Sequence, residues 1–264
     1  MHLTGAFVGI FLECLFYVRP QSMNPKSPAY QQLVAARKAC AACASLINPS
    51  THPNLDSDRI GPFSRWQGNL NSEIVVVGQD SSDIRTYTEH DGDWPGPAVQ
   101  TNIALVKLLS AAGIEISAPH PGHSEDKVFF TNAVLCLKDS CASSRRSMQG
   151  RIKRDYARMC GNLFLRPTIE LIAPRAVVTL GSTALTATLA SFGIEQPVKL
   201  LELIRRGQTF NLSCGSVLFP MCHPSRTVQN TVRSFDLQVN DWQRLGGWLR
   251  SNNSFKPKPL RGSA

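Results

Sequence analysis

The chain has 264 residues, with 28 Lys and Arg against 19 Asp and Glu, a formal charge of +9 and a pI of about 9.4. Its 42% hydrophobic and 18% charged residues are typical of a soluble globular protein, which excludes a disordered or fibrous chain. The positive charge predicts an anionic partner, of which nucleic acid is the commonest, with a generally basic surface as the alternative.

The first 20 residues are apolar, but Glu13 interrupts them and no Lys or Arg precedes it. A signal peptide needs a basic start and an unbroken apolar run, and the run is too short to span a bilayer. We therefore expect residues 1–27 to be a poorly structured or misassigned extension, with a peripheral membrane role as the minor alternative. Residues 28–250 are expected to form one domain without a membrane partner, and 251–264 a flexible basic tail.

Buried, β-branched segments alternate with helical ones along this domain. Strands are predicted at 74–78, 128–132, 176–181 and 217–221, and helices from an N-cap at Ser27 to about Ala42, at 99–112, at 154–172 with a kink at Pro167, and at 235–249. Such alternation predicts parallel strands covered on both faces. The expected fold is a three-layer α/β/α sandwich around a short, mainly parallel four-stranded sheet.

Polar residues follow each predicted strand. Gln79 and Asp80 come after the first, Asn132 ends the second, Ser182 follows the third and His223 the fourth. In a parallel sheet the carboxyl ends of the strands share one edge, where ligands and chemistry collect. Each residue alone would more often be a turn or cap residue. Their joint order predicts a functional site.

Eight cysteines occur, at positions 14, 40, 43, 136, 141, 160, 214 and 222. A C-x-x-C pair at 40 and 43 with scattered partners indicates metal or cluster ligation in a reducing compartment, such as the cytoplasm, better than a secreted disulfide framework. Buried free thiols or a zinc site are the alternatives.

Four segments, VVVGQD (75–80), FFTNAVLC (129–136), VVTLGSTAL (177–185) and MCHPS (221–225), resemble the uracil-DNA glycosylase superfamily in their order and over about residues 40–250. The resemblance implies that Asp80 orients the attacking water and faces the sugar cation, and that His223 donates a hydrogen bond to the leaving base. It implies base contacts by Asn132 and Gln79.

The same resemblance implies a monomer that acts on DNA at the nucleoid. It implies phosphate contacts by Ser182 and Ser225, and a wedge loop at 226–229 in which Arg226 fills the gap left by the flipped nucleotide or binds phosphate. The cysteines resemble those of the iron–sulfur branch. The implied DNA-facing loop carries Arg145, Arg146, Arg151 and Lys153, and the implied ligands of a structural [4Fe–4S] cluster are Cys40, Cys43, Cys136 and Cys160, with Cys141 as a substitute.

Two departures from the family bear on the substrate. Ser81 and Ser82 stand where relatives have Pro and a bulky Tyr that blocks the pyrimidine C5 position, and no Phe occurs near Ala98. Ser82 and Ala98 are therefore expected at an enlarged base site. This leads to the hypothesis that 5-modified pyrimidines are admitted, such as the modified cytosines of phage DNA, with uracil as the family default.

Two other functions compete with a glycosylase. One is a non-catalytic relative that binds a damaged or modified base, and the other is a nucleoside hydrolase. Repair and an attack on foreign DNA would use the same chemistry. No lysine is placed to form a Schiff base, so no lyase function is expected, and the predicted enzyme is a monofunctional glycosylase.

Overall fold

The computed structural model describes residues 24–52, 55, 69–80, 83–84, 100–116, 127–138, 154–196 and 198–252. The predicted N-terminal extension and most of the basic tail lie outside these residues. Within the described residues, no helix has the length and apolarity needed to cross a membrane.

Five strands form the central sheet in the order β2-β1-β3-β5-β4. Four of them are the predicted parallel strands, and the short fifth one pairs antiparallel to β5 at the edge. The strands are β1 (Ile74–Gly78), β2 (Val128–Asn132), β3 (Ala176–Leu180), β4 (Phe210–Asn211) and β5 (Val217–Met221). The predicted count of four was one too few, because a two-residue strand is too short to show a periodic pattern.

Helices alternate with these strands. They are α1 (Ser27–Lys38), α2 (Gln100–Ala111), α3 (Arg154–Cys160), α4 (Arg166–Ile172), α5 (Ser182–Ser191), α6 (Leu200–Arg206), α7 (Arg226–Thr231) and α8 (Phe235–Ser251), with a short 3-10 turn at Pro49–Thr51. The short helices α6 and α7 were not predicted.

The sheet buries both faces. Val75, Val77 and Val177 point into one core, which contains residues of α1, α3, α4, α5 and α6. Ile74 and Val76, which alternate with them along β1, point into a second core formed with α2 and α8. Alternation of side chains along a strand explains this division. The predicted three-layer α/β/α architecture is confirmed.

Helix α1 is shorter than predicted, since it ends at Lys38 rather than near Ala42. The side-chain amide of Asn48 donates to the carbonyls of Arg37, Lys38 and Cys40, at 3.1, 3.1 and 2.7 Å. These bonds satisfy carbonyls that the end of a helix leaves unpaired. Cys40 and Cys43 consequently lie in a loop after the helix.

The predicted helix at 154–172 is interrupted. A π-helical turn, Gly161–Leu165, separates α3 from α4, and the N–H of Arg166 bonds to the Gly161 carbonyl. Pro167 then lies in the first turn of α4, where its missing N–H is tolerated. The interruption therefore precedes the proline, at a turn that begins directly after Cys160.

Candidate active site

The register of the sheet brings the predicted polar residues to one edge. Gly78 pairs with Asn132 at the ends of β1 and β2, and Leu180 pairs with Met221 at the ends of β3 and β5. Backbone N–H groups of Ala133 and Val134 donate to the carbonyls of Gly78 and Gln79, at 2.9 and 3.0 Å. Parallel pairing thus continues past the strands and fixes the chain where Asp80 begins.

The Asp80 carboxylate is almost enclosed, with 5% of its side chain exposed. Its Oδ2 accepts a hydrogen bond from the Gln79 side-chain amide at 2.6 Å. Its Oδ1 lies 3.0 Å from Nζ of Lys138. A carboxylate held at both oxygens has a fixed orientation. The Gln79 amide nitrogen is directed at Asp80, so this amide orients the carboxylate.

Lys138 was not among the predicted site residues. It lies on a short segment after β2 that is paired on two sides. Leu137 exchanges backbone hydrogen bonds with Ile47, at 2.8 and 2.9 Å, and the Lys138 carbonyl accepts from Ile84 N–H at 3.2 Å. Leu137 is fully buried. Nothing in the sequence marks a lysine six residues past a strand as a neighbour of Asp80; only the path of this segment does so.

His223 follows β5 and is partly buried. Burial lowers the pKa of His223 from its ordinary value of 6.5, and the nearby Asp80 carboxylate partly offsets that shift. The Ser225 N–H donates to His223 Nδ1 at 3.2 Å. A neutral ring that accepts at Nδ1 carries its proton on Nε2. The structure therefore presents a neutral imidazole with Nε2–H as a donor, within electrostatic range of Asp80.

Gly181 lies beside His223, and its backbone conformation favours glycine. Its φ of +91° is disfavoured for residues with a Cβ, and a Cβ built there would lie 3.6 Å from His223 Cβ. Ser182 begins α5 directly after it and is exposed. Ser225 precedes α7, and Arg226 is its exposed first residue, so the predicted wedge loop is a short helix.

An ionic cluster around the buried carboxylate of Asp241 holds the segment that follows His223. Arg233 contacts Asp241 through Nε and Nη2, at 2.5 and 2.8 Å, and Asp241 also contacts Arg244. The Gln238 amide donates to the Arg233 carbonyl at 3.0 Å. This cluster fixes the turn between α7 and α8, and it too was not predicted.

The four predicted cluster ligands lie around one pocket. Cys40, Cys43, Cys136 and Cys160 line it together with apolar residues of α3 and the π-helical turn. The Cys136 thiol donates a hydrogen bond to Cys43, which lowers the pKa of Cys43 and raises that of Cys136. Burial raises the pKa of Cys160 to about 12. Charges on Cys40, Cys43 and Cys160 also raise the Cys136 pKa, so the four sulfurs lie within electrostatic range of one another.

The lining of this pocket offers the ligand type that an iron–sulfur cluster takes. Its four cysteines supply sulfur, and most of the other lining residues are apolar. In the described part of the chain, no three His, Cys, Asp or Glu side chains are grouped closely enough to hold a single metal ion. Arg37 is 2% exposed and lines the same pocket, where its positive charge would offset thiolate charge.

Several predicted site residues lie outside the described residues. They are Ser82, Ala98, Arg145, Arg146, Arg151, Lys153 and the substitute ligand Cys141. The described residues therefore comprise the two predicted catalytic groups, two of the base contacts and the four cysteines, but not the second wall of the base site or the basic loop.

The chain was compared with known proteins. A family model described as the uracil DNA glycosylase superfamily matches residues 66–246, which is more than half of the chain. A Type-4 uracil-DNA glycosylase of Thermotoga maritima is 27% identical over 202 residues, an alignment that covers 75% of this chain and 83% of the relative. The matched region includes all five strands and the edge at which Asp80 and His223 meet. On this match, the chain belongs to the uracil-DNA glycosylase superfamily.

Proposed function

We propose that this protein is a monofunctional DNA glycosylase that hydrolyses the N-glycosidic bond of an extruded pyrimidine nucleotide and leaves an abasic site. The observation that carries this is the convergence of two groups of opposite chemical role. Asp80 is an oriented carboxylate, and His223 is a neutral donor close enough for the carboxylate to affect its pKa.

The roles of Asp80 and His223 follow from the charges that develop on the sugar and the base as the bond breaks. Breaking the bond makes the sugar cationic and the departing base anionic. The Asp80 carboxylate would face the sugar, stabilise its positive charge and hold the attacking water. The Nε2–H of His223 would donate to the base oxygen on which negative charge develops. A neutral imidazole suits this role because it donates without first needing a proton from solvent.

Base recognition is assigned to the end of β2. Asn132 offers an amide donor and acceptor in one plane, which matches the Watson–Crick edge of a pyrimidine. The Gln79 side chain, whose amide is already hydrogen-bonded to Asp80, would act on the base mainly through the carboxylate it holds.

DNA is the proposed partner, and the chain would act on it as a monomer. The net charge of +9 favours a polyanion, and exposed Ser182 and Arg226 lie next to the strand ends that carry the site. Binding to an abasic or uracil-containing duplex should weaken steeply as salt is raised. Affinity that does not change with salt would favour a nucleoside hydrolase instead.

The four cysteines are proposed to hold a structural [4Fe–4S] cluster. When bound, the cluster would cross-link three parts of the chain: the Cys40–Cys43 loop, the segment after β2 and the end of α3. No step of base release would pass through it. Cys136 lies two residues before Lys138, so this cross-link would also steady the segment beside Asp80.

The substrate base is proposed to include pyrimidines with a substituent at C5, beside uracil. Support comes from Ser81 and Ser82, small residues that follow Asp80 where relatives have Pro and then a bulky Tyr that would exclude such groups. Attack on modified foreign DNA is one setting in which this breadth would be used.

A panel of oligonucleotides tests the proposal. Matched strands would carry one uracil, thymine, 5-hydroxymethylcytosine or glucosylated 5-hydroxymethylcytosine, and abasic sites would be read as alkali-labile breaks. Asp80→Asn and His223→Ala should lose base release but keep DNA affinity, while Asp236→Asn, at an exposed acid on α8, should behave as wild type. No release from any strand by wild type, with binding intact, would favour the non-catalytic alternative. Release from uracil alone would reject the wider substrate range.

A further inference from the structure

Lys138 is the charged residue of the site to which base release assigns no role. Its Nζ lies 3.0 Å from Oδ1 of Asp80, and 21% of its side chain is exposed. An ammonium carries three N–H donors. Within the described residues, the Asp80 contact takes one of these donors, which leaves two for a group bound beside the carboxylate.

The backbone at Lys138 is fixed on two sides. Leu137 is fully buried and exchanges backbone hydrogen bonds with Ile47, and the Lys138 carbonyl accepts from the N–H of Ile84 at 3.2 Å. A donor on a fixed segment costs little ordering when a ligand binds, so its hydrogen bond contributes more fully to affinity. This placement suits a residue that selects among ligands.

The order of the strands separates Lys138 from His223. Strand β1, which leads to Asp80, lies between β2 and β3, and β5 lies beyond β3. Lys138 belongs to the segment that leaves β2, whereas His223 leaves β5. The two residues thus come from strands on opposite sides of β1.

A pyrimidine held in this site would turn its C5 atom toward the β2 side. The inference rests on the proposed function, in which His223 donates to a base oxygen; the oxygen at C2 is the one next to the N1 atom that loses the sugar. C5 lies opposite C2 across the six-membered ring, so a C5 substituent points away from His223. With the Watson–Crick edge assigned to Asn132, Lys138 is the charged donor on the side to which C5 points.

We propose that Lys138 determines specificity by donating a hydrogen bond to a hydroxyl oxygen on the C5 substituent, as in 5-hydroxymethylcytosine and its glucosylated form. This role uses the ammonium as a donor and transfers no proton. The small residues at positions 81 and 82 would admit a methyl group as readily as a hydroxymethyl group, and thymine carries such a methyl. A polar site that loses its partner rejects the wrong ligand far better than an apolar pocket does. Lys138 therefore supplies the discrimination that pocket size does not.

The test compares two oligonucleotides that differ by one oxygen atom, with 5-hydroxymethylcytosine or 5-methylcytosine, and uses a uracil strand as the reference. Wild type should release the hydroxymethylated base with a kcat/KM higher by about tenfold or more, the contribution of a charged hydrogen bond. Lys138→Met should abolish this preference, while Lys107→Met, at an exposed lysine on α2, should keep it. A lysine that only held Asp80 in place would lower release of all three bases by one factor and leave the preference unchanged.

Binding measurements cover any variant that releases no base. The affinity of His223→Ala for the same two strands, with and without Lys138→Met, gives the preference without turnover. A preference that is absent from wild type, or that Lys138→Met leaves unchanged, would overturn the inference. Uracil release without that preference would reject the inference and leave the glycosylase. No release from any strand, with a binding preference that Lys138→Met removes, would reject the glycosylase and leave the contact.

Discussion

Asn132 lies so close over Gly78 that a Cβ on Gly78 would overlap the Asn132 Oδ1 atom. The two residues pair at the ends of neighbouring parallel strands. The glycine that begins the Gly-Gln-Asp segment is thus needed for the space it leaves, because any side chain there would displace the amide assigned to base recognition.

Gly78→Ala should impair base release while leaving the fold intact. Displacing Asn132 would remove a hydrogen bond to the base, worth about 1–3 kcal/mol when a buried partner is left unsatisfied. This corresponds to a loss of roughly 5- to 160-fold in kcat/KM for a uracil oligonucleotide. Gly247→Ala is the matched control, since a Cβ at Gly247 meets nothing within 4 Å. Equal activity of both variants would mean that Asn132 does not read the base.

The activity should fall on the acid side of neutrality. Burial lowers the pKa of His223 below 6.5, so the ring is neutral at pH 7, and protonation of Nδ1 would break its bond from Ser225. Single-turnover base release should be level near pH 7–8 and decline as pH falls below about 6.5 through the lowered pKa. A rate that rises in that window would indicate that the imidazolium is the active form.

The free energy of unfolding should also fall as the pH is lowered. The folded-state pKa of His223 lies below its unfolded value, so its contribution to the free energy of unfolding is fully present above about pH 6.5 and is lost as pH falls through the folded-state pKa. Urea unfolding at several pH values should show a shallower acid decline for His223→Ala than for wild type. Identical slopes would contradict the assignment of this shift to His223.

Asp241→Ala should be strongly destabilising. The carboxylate is buried between Arg233 and Arg244, so its removal leaves Arg233, whose side chain is only 11% exposed, without its partner. Breaking a buried pair on one side costs about 3–5 kcal/mol. Asp236→Ala changes an exposed acid on the same helix and should stay within about 0.5 kcal/mol of wild type in urea unfolding. If the two variants unfold alike, the cluster does not anchor the turn after His223.

The cysteine pocket makes a colour prediction. Protein purified without oxygen should be brown and contain iron and acid-labile sulfide, because thiolate–iron charge transfer absorbs visible light. Cys136→Ala and Cys43→Ala should each lose the colour and lower the melting temperature. Cys214→Ala, at a buried thiol bonded to Ser216 away from the pocket, should keep the colour. Colourless, iron-free protein that melts at the same temperature as Cys136→Ala would reject the cluster.

Local sequence patterns were enough to predict the main strands and helices. They were less reliable for very short elements and for helix ends, which depend on contacts with residues farther along the chain. The β-branched runs of β1 and β3 predict strands because their side chains fill both cores. The end of α1 could not be read from residues 27–42, since the bonds that stop it come from Asn48. Pro167 signalled an interruption, but the π-helical turn that absorbs it lies on its N-terminal side.

Some features of the candidate site could likewise be predicted from the sequence, and others could not. The order of Gln79, Asp80, Asn132 and His223 along the chain, each at the end of a buried strand, was sufficient to predict that they share one edge of the sheet, because parallel strands align their carboxyl ends. The contact of Lys138 with Asp80 and the hydrogen bond that sets the His223 tautomer depend on how chain segments without a periodic pattern return to that edge. Sequence periodicity encodes which face of an element is buried. It does not encode the distance between atoms on separate loops, and that distance decides which charged and hydrogen-bonding groups contact one another at the site.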